Sequence, residues 1–172
     1  MTDPLNDQLD KLLDTFDQQK QAQKEAQEST KRHEDVFLSE FLNFRTSIAY
    51  PLFERVGNQL RSHGHDFEIL QKTNEVDQDV DVCITPSAMT CITLIVYPNG
   101  AGDEHLSCAR DLYPFFIILA SLENQDIVLG SSTTMPLMLG HEGIRGDLKL
   151  NQHSSEIIER ELMKFLGEVF AS

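Results

Sequence analysis

Residues 89–97 read Met-Thr-Cys-Ile-Thr-Leu-Ile-Val-Tyr, and this stretch decides the fold of the chain. Its β-branched and aromatic residues predict a strand. Successive side chains of a strand point to opposite faces, and here both faces carry apolar residues. Such a strand belongs in the middle of a sheet that is covered on both sides. We expect helices to cover one face, with a second subunit as a candidate for the other.

Further strands are predicted on either side of this central segment. Residues 113–122 and 126–132, separated by Glu-Asn-Gln, predict a hairpin whose first strand is again apolar on both faces. Residues 67–71 predict the first strand of the sheet. The remaining predictions are a strand with one acidic face at 75–84, a turn at 98–103 leading to a strand at 106–112, a loop at 140–146 and a short edge strand at 147–150.

Two amphipathic helices flank the predicted sheet. Residues 34–63 carry an apolar stripe from Phe37 through Ile48 to Leu60, so we expect this helix to pack on the core. Pro51 predicts a kink or break near Tyr50, and Gly64 predicts the end of the helix. Residues 155–170 predict a last helix lying on the sheet. The chain is therefore expected to be an α+β protein with one antiparallel sheet of about five to six strands, spanning 66–150, within a core domain of residues 34–172.

Residues 1–33 form a separate N-terminal segment. Pro4 predicts the start of a helix, and a stripe of large apolar residues follows at spacings of three and four. The stripe comprises Leu5, Leu9, Leu12, Leu13 and Phe16. From residue 17 to 35 the chain becomes polar, which suits either a frayed linker or a helix held by another chain. Since an isolated amphipathic helix exposes its leucines, we predict that this stripe mediates oligomerisation, as a dimer or higher, in the manner of a coiled coil. The alternatives are that the segment folds back onto its own core or is disordered.

The charge of the chain is strongly negative and unevenly distributed. Its formal net charge is -14, of which residues 1–65 contribute -3 (8 Lys+Arg against 11 Asp+Glu) and residues 66–172 contribute -11 (6 against 17). Nucleic acids and anionic membranes both attract cations, so neither is an expected partner. A basic or neutral protein partner fits better.

The ends of the chain and its cysteines suggest the compartment. The first residues lack the pattern of a signal peptide, and no apolar run approaches the roughly 20 residues of a membrane span, so a cytoplasmic location is expected. Cys83, Cys91 and Cys108 are odd in number, have no CxxC spacing and lie in apolar segments. We expect them to be buried, reduced thiols.

No metal site is predicted. Asp77, Asp79 and Asp81 resemble the first half of a calcium loop, but Val82 stands where the turn glycine belongs, so a solvated strand face explains them better. Five histidines lie at turns and element ends, where surface positions are common. They are His63, His65, His105, His141 and His153.

No catalytic or cofactor site is predicted either. Gly130-Ser-Ser-Thr-Thr lacks the second glycine and the helix of a nucleophile elbow, and the thiol of Cys108 near Arg110 fits a buried strand residue. The glycine-rich loops at 100–102 and 140–146 do not open a helix, as a phosphate cradle would. The tripeptide Arg145-Gly-Asp147 is given no role.

Two functional hypotheses follow. The first is a non-enzymatic interaction or adaptor module that self-associates through its N-terminal helices and presents an acidic sheet domain to a protein partner. The alternative is a small-molecule or minor enzymatic role in a pocket between sheet and helices, using His105, Asp111 or His141 as acid or base.

In size, acidity and coarse element order the chain resembles secretion chaperones, although its long N-terminal helix departs from their pattern. The resemblance implies a dimer that binds a protein partner, in line with the first hypothesis.

Overall fold

The computed structural model describes residues 4–73, 90–100, 113–133 and 142–171 of the chain. Several predicted features lie outside these residues. They are the strands at 75–84 and 106–112, the acidic row of Asp77, Asp79 and Asp81, the thiols of Cys83 and Cys108, and the candidate acid and base residues His105, Asp111 and His141.

The described residues form an α+β arrangement, as predicted: a long N-terminal helix, one antiparallel sheet and a C-terminal helix. The helices are α1 (Pro4–Phe44), α2 (Tyr50–Ser62) and α3 (Ser154–Phe170), and a π-helical turn (Arg45–Ala49) lies between the first two. The strands are β1 (Asp66–Lys72), β2 (Cys91–Tyr97), β3 (Phe115–Ser121), β4 (Asp126–Ser132) and β5 (Glu142–Leu148).

The five strands pair in chain order, each antiparallel to the next. Residues opposite each other in such a sheet share a face, which places Leu94 beside Phe116 on one face. The Phe116 ring lies 6.2 Å from that of Phe53 on α2 and 5.7 Å from that of Phe165 on α3, measured between centroids. These three rings form the centre of the core, where both helices cover the sheet.

The second face of the interior strand β2 is buried as well. Thr93 is 2% exposed and Ile95 is not exposed, and both lie on the face opposite Leu94. The prediction of a strand buried on both sides is therefore confirmed. This burial is complete within one chain, so it does not require the second subunit that the sequence suggested for this face.

The prediction for residues 140–150 was partly wrong, because β5 begins at Glu142 rather than at residue 147. From the sequence, Gly143 and Gly146 were assigned to a loop. In β5 their φ angles are 146° and 156°, a region that favours glycine. Between Leu129 and Gly130 the register with β4 shifts, which makes Arg145 an extra residue in β5. A bulged edge strand therefore replaces the predicted loop.

The chain divides into two compact units, Met1–Phe37 and Leu38–Ser172. In the first unit the polar stretch that follows the apolar stripe is helical, since α1 continues without interruption from Pro4. Its Gln, Lys, Glu and Ala residues have high helix propensity and bury almost nothing. Of the two alternatives for this stretch, a linker or a helix, the structure therefore has the helix.

A π-helical turn precedes Pro51 and shifts the buried positions of the helical segment. The backbone amide of Tyr50 donates to the carbonyl of Arg45, five residues back, instead of the usual four. After this wide turn Ala49 and Phe53 are completely buried, whereas Ile48 is 39% exposed. The prediction that Ile48 belongs to the buried stripe was wrong, because one extra residue per turn rotates the following positions.

The end of α2 follows its prediction. Gly64 has a φ of 85°, and the amide of His65 donates to the carbonyl of Leu60 at 3.1 Å, which closes the last turn. One turn before this end, α2 passes close to β1 at Gly57, which is buried. These contacts hold the C-terminal half of α2 against the first strand.

Candidate functional site

The stripe on the first unit is exposed to solvent along its whole length. The exposed fractions are 69% for Leu5, 51% for Leu9, 67% for Leu12, 51% for Leu13 and 60% for Phe16. They occupy successive turns of α1 and therefore share one face. Five large apolar residues exposed together in this way are typical of an interaction surface rather than of scattered surface residues.

A second apolar surface lies within the other unit, between α2 and α3. The Arg55–Glu159 ion pair, with 3.2 Å between Nη2 and Oε1, joins the N-terminal halves of the two helices. Beyond this pair the helices border a groove of about 280 Å³, which we call the α2–α3 groove. It is lined by Val56, Gln59, Leu60, His63, His65, Met163, Leu166 and Phe170.

The exposed part of the α2–α3 groove is almost entirely apolar. Met163 is 58% exposed and Phe170 is 41% exposed, which is unusual for residues of this size. Leu60 is half-buried on the facing side of α2. Polar groups occur only at the end where α2 stops, so the groove suits an apolar ligand or an apolar side chain better than a polar substrate.

The structure brings two of the predicted histidines to this groove. The imidazole Nδ1 of His65 accepts the backbone N–H of Asn99 at 3.0 Å, and its ring centroid lies 4.7 Å from that of Phe170. His63 Nε2 lies 3.3 Å from Nε2 of Gln59, one turn earlier on α2. These contacts hold both imidazole rings at the end of the groove, so each ring has a structural role there. His153 is exposed and lies elsewhere, just before α3.

A buried cation lies at the π-helical turn. Nη1 of Arg45 donates to the carbonyl oxygens of Lys72, at 3.0 Å, and Cys91, at 3.4 Å, where β1 and β2 meet. Its Nε has no hydrogen-bond partner among the described residues. Burial lowers the pKa of the Arg45 guanidinium from its ordinary value, although the neighbouring Cys91 opposes this shift. The π-helical turn thus places the Arg45 guanidinium against backbone carbonyl groups of β1 and β2.

Cys91 is a buried free thiol, as predicted from its apolar surroundings. Burial raises the pKa of this thiol, and the hydrogen bond with Thr93 and the nearby cations Lys72 and Arg45 only partly oppose the effect. A nucleophilic cysteine needs the opposite shift and access to solvent. Cys91 is therefore a structural residue.

Arg145 makes structural contacts with β4 and α3. Its guanidinium bonds to the hydroxyl of Ser131 on β4 and to the carboxylate of Glu168 on α3. It lies 5.7 Å from the centroid of the Phe165 ring, and its side chain is 11% exposed. This contact uses the hydroxyl of Ser131, in keeping with the interpretation of residues 130–134 as a polar strand end.

Within the four described ranges, no group of three or more His, Cys, Asp or Glu side chains is placed to hold a metal ion. Among those same residues, no helix combines the length and apolarity needed to cross a bilayer.

Two residues of the α2–α3 groove on α3, Met163 and Phe170, were not predicted from the sequence. Ile158, Leu162 and Phe165 lie on one face of this helix, and all three are buried. Met163 and Phe170 lie on the flank of this face, beside Leu166, and both are exposed. Large apolar residues that widen the apolar face at positions 163 and 170 were the available signal for a second apolar surface.

Comparison of the chain with family models, with curated proteins and with solved structures found no match in any of the three.

Proposed function

We propose that the chain is a non-enzymatic interaction module that self-associates through its N-terminal helices. The observation that carries this proposal is the exposure of the stripe, from 51% to 69% for each of its five side chains. Solvent contact at these residues is unfavourable, and burial of each against another apolar surface stabilises by about 1 kcal/mol or more. The stripe of a second copy, as in a coiled coil, supplies such a surface.

The sheet domain supplies the other half of the proposed function. Residues 66–172 carry a net charge of -11, which favours a basic or neutral protein as the partner of the assembled module. We place the module in the cytoplasm and assign it no cofactor. The described residues offer an apolar groove and structural polar contacts, which support binding better than catalysis.

The test is the molar mass of the full chain in solution. Light scattering and sedimentation at micromolar concentrations are expected to give a dimer or higher oligomer. Leu9→Gln combined with Leu12→Gln removes two leucines from the stripe while keeping residues of high helix propensity. This stripe variant is expected to weaken self-association at least a hundredfold, since a dimer loses four leucines from its interface.

A matched control lies on the opposite face of the same helix. Lys11→Gln combined with Asp14→Gln keeps the net charge and the number of substitutions, and it is expected to associate like the wild type. A wild-type chain that is monomeric throughout the micromolar range would sink the proposal. Equal weakening by the stripe and control pairs would also sink it.

A further inference from the structure

The turn that follows β2 carries an asparagine with a reactive neighbour. Residues 98–100 read Pro-Asn-Gly, and the other six asparagines of the chain are each followed by a residue that has a side chain. Asn99 and Gly100 are both exposed. Their φ angles of 65° and 68° lie in the left-handed region, which asparagine and glycine tolerate better than other residues. The fold therefore presents this Asn-Gly pair to solvent.

The side chain of Asn99 can react with the backbone of the next residue. The nitrogen of Gly100 attacks Cγ of Asn99, a C–N bond forms, and the side-chain nitrogen leaves as ammonia with the proton of the Gly100 amide. Water then opens the resulting succinimide ring at either carbonyl carbon. One opening gives aspartate, and the other gives isoaspartate, whose main chain runs through the former side chain. Water is the only co-reactant.

Two features of the turn favour this reaction. Glycine after asparagine leaves the approach to the backbone nitrogen open, because it has no Cβ. The Gly100 amide donates to the carbonyl of Tyr97 at 3.2 Å, at the long end of the usual range, and this bond must open before the attack. A single neutral hydrogen bond of an exposed turn contributes little net stability, so we expect it to open readily.

The same turn is attached to one end of the α2–α3 groove. The backbone N–H of Asn99 donates to Nδ1 of His65 at 3.0 Å, and the centroid of the His65 ring lies 4.7 Å from that of Phe170. Isoaspartate adds a methylene group to the main chain and a carboxylate to the turn. Both changes occur directly beside the hydrogen bond to His65.

We propose that Asn99 is a site of spontaneous deamidation and that its conversion to isoaspartate loosens the end of the α2–α3 groove. The reaction needs no partner, so the modified form accumulates with the age of the molecule. This inference does not depend on the proposed self-association.

The first measurement is the rate of deamidation in the full, folded chain, followed by peptide mass mapping in mildly alkaline buffer. Asn124 is the matched internal control, because it is also exposed in a turn but is followed by Gln125. Asn99 is expected to convert about tenfold faster than Asn124, since a Cβ on the following residue crowds the attack. Equal rates at the two asparagines would overturn the proposal.

The unfolded chain provides the time scale and a test of the chemical route. A folded chain that is still unmodified at Asn99 after several half-lives of the urea-unfolded chain would also overturn the proposal. Gly100→Ala is compared in urea only, since a φ of 68° strains alanine in the folded chain. It is expected to slow conversion of Asn99 about tenfold there, and an unchanged rate would exclude the succinimide route.

The second measurement tests whether the groove end loosens. The isoaspartate form is isolated by chromatography, and its backbone amide at position 99 is expected to lose protection against hydrogen exchange by about tenfold. Asn99→Asp adds the same charge with an ordinary main chain, so it is the control and is expected to stay close to the wild type. Unchanged protection in the isoaspartate form would overturn the loosening and leave the deamidation site standing.

Discussion

The aromatic ring of Phe67 on β1 occupies the space into which a side chain at Gly57 on α2 would extend. A Cβ atom at position 57 would lie 2.3 Å from carbons of this ring, far inside van der Waals contact. The guanidinium carbon of Arg61 also contacts this ring, 4.4 Å from its centroid. Glycine at position 57 thus permits the helix and the strand to pack closely.

Replacement of Gly57 by alanine is therefore expected to destabilise the protein. Alanine favours a helix over glycine by about 1 kcal/mol, but overpacking against Phe67 costs about 1–3 kcal/mol and is expected to outweigh this gain. Urea unfolding measures the difference. In a Phe67→Leu background the same replacement is expected to cost less, and an unchanged cost there would contradict the steric explanation.

Replacement of the glycine in α3 by alanine is expected to change the stability in the opposite direction. Gly167 lies in α3, is exposed, and has no described atom within 4 Å of the position that a Cβ would occupy. Gly167→Ala is expected to stabilise the protein by about 0.5–1 kcal/mol, because only the helix propensity changes. Urea unfolding of Gly57→Ala and Gly167→Ala is measured under identical conditions, so that each variant is a control for the other. A loss of stability at position 167 would show that the site is not open.

Arg45 is expected to stabilise the junction of β1 and β2. Arg45→Met keeps a long side chain but removes the donors to the carbonyl oxygens of Lys72 and Cys91, and we expect a loss of about 1–3 kcal/mol. Arg45→Lys retains a donor without the planar geometry and is expected to lose less. Chemical denaturation of both variants checks this order. Arg32→Met, at an exposed position of α1, is the control and should change stability by less than about 0.5 kcal/mol.

The buried thiol of Cys91 predicts a dependence of stability on pH. Its pKa is raised in the folded state, so the unfolded chain releases this proton at lower pH than the folded chain. The stabilisation is complete below the unfolded value of about 8.5 and decreases as the pH rises towards the higher folded value, at up to about 1.4 kcal/mol per pH unit. In Cys91→Ala this slope is expected to be shallower. Denaturation from pH 7.5 to 10 measures it, and an identical slope in both proteins would contradict the assignment.

The strands that the sequence predicted best combine a run of β-branched and other apolar residues with clear turns. β4 has its predicted bounds, and β3 differs from its prediction by only two residues at its start and one at its end. β5 was predicted too short because Gly143 and Gly146 carry no side-chain pattern and adopt φ angles that are typical of loops. An edge strand with a bulge depends on pairing with its neighbour, which local sequence does not encode.

The helical segment shows a different limit. Residues 17–35 have high helix propensity but almost no apolar residues. The sequence therefore did not decide between a helix and a linker, since propensity alone is a weak predictor. The wrong prediction for Ile48 has a separate cause. Pro51 indicated an irregularity, but periodicity cannot distinguish a kink from a π-helical turn that rotates the stripe by one residue.

The candidate site was predictable only in part. The stripe at residues 5–16 is local, so spacing alone defined it. The α2–α3 groove joins Leu60 to Met163 and Phe170, about a hundred positions apart in the chain. Only the tertiary arrangement of α2 and α3 on the sheet brings these side chains together.

The irregular geometry of β5 affects how copies of this chain can meet. An exposed strand at the edge of a sheet can act as a template for a strand of another molecule, which leads to open-ended growth. The bulge at Arg145 and the unusual backbone angles of Gly143 and Gly146 interrupt the row of hydrogen-bonding groups that such a template needs. The irregular geometry of β5 therefore disfavours fibrillar aggregation, and the proposed contact between copies through the exposed leucines of α1 does not use this strand.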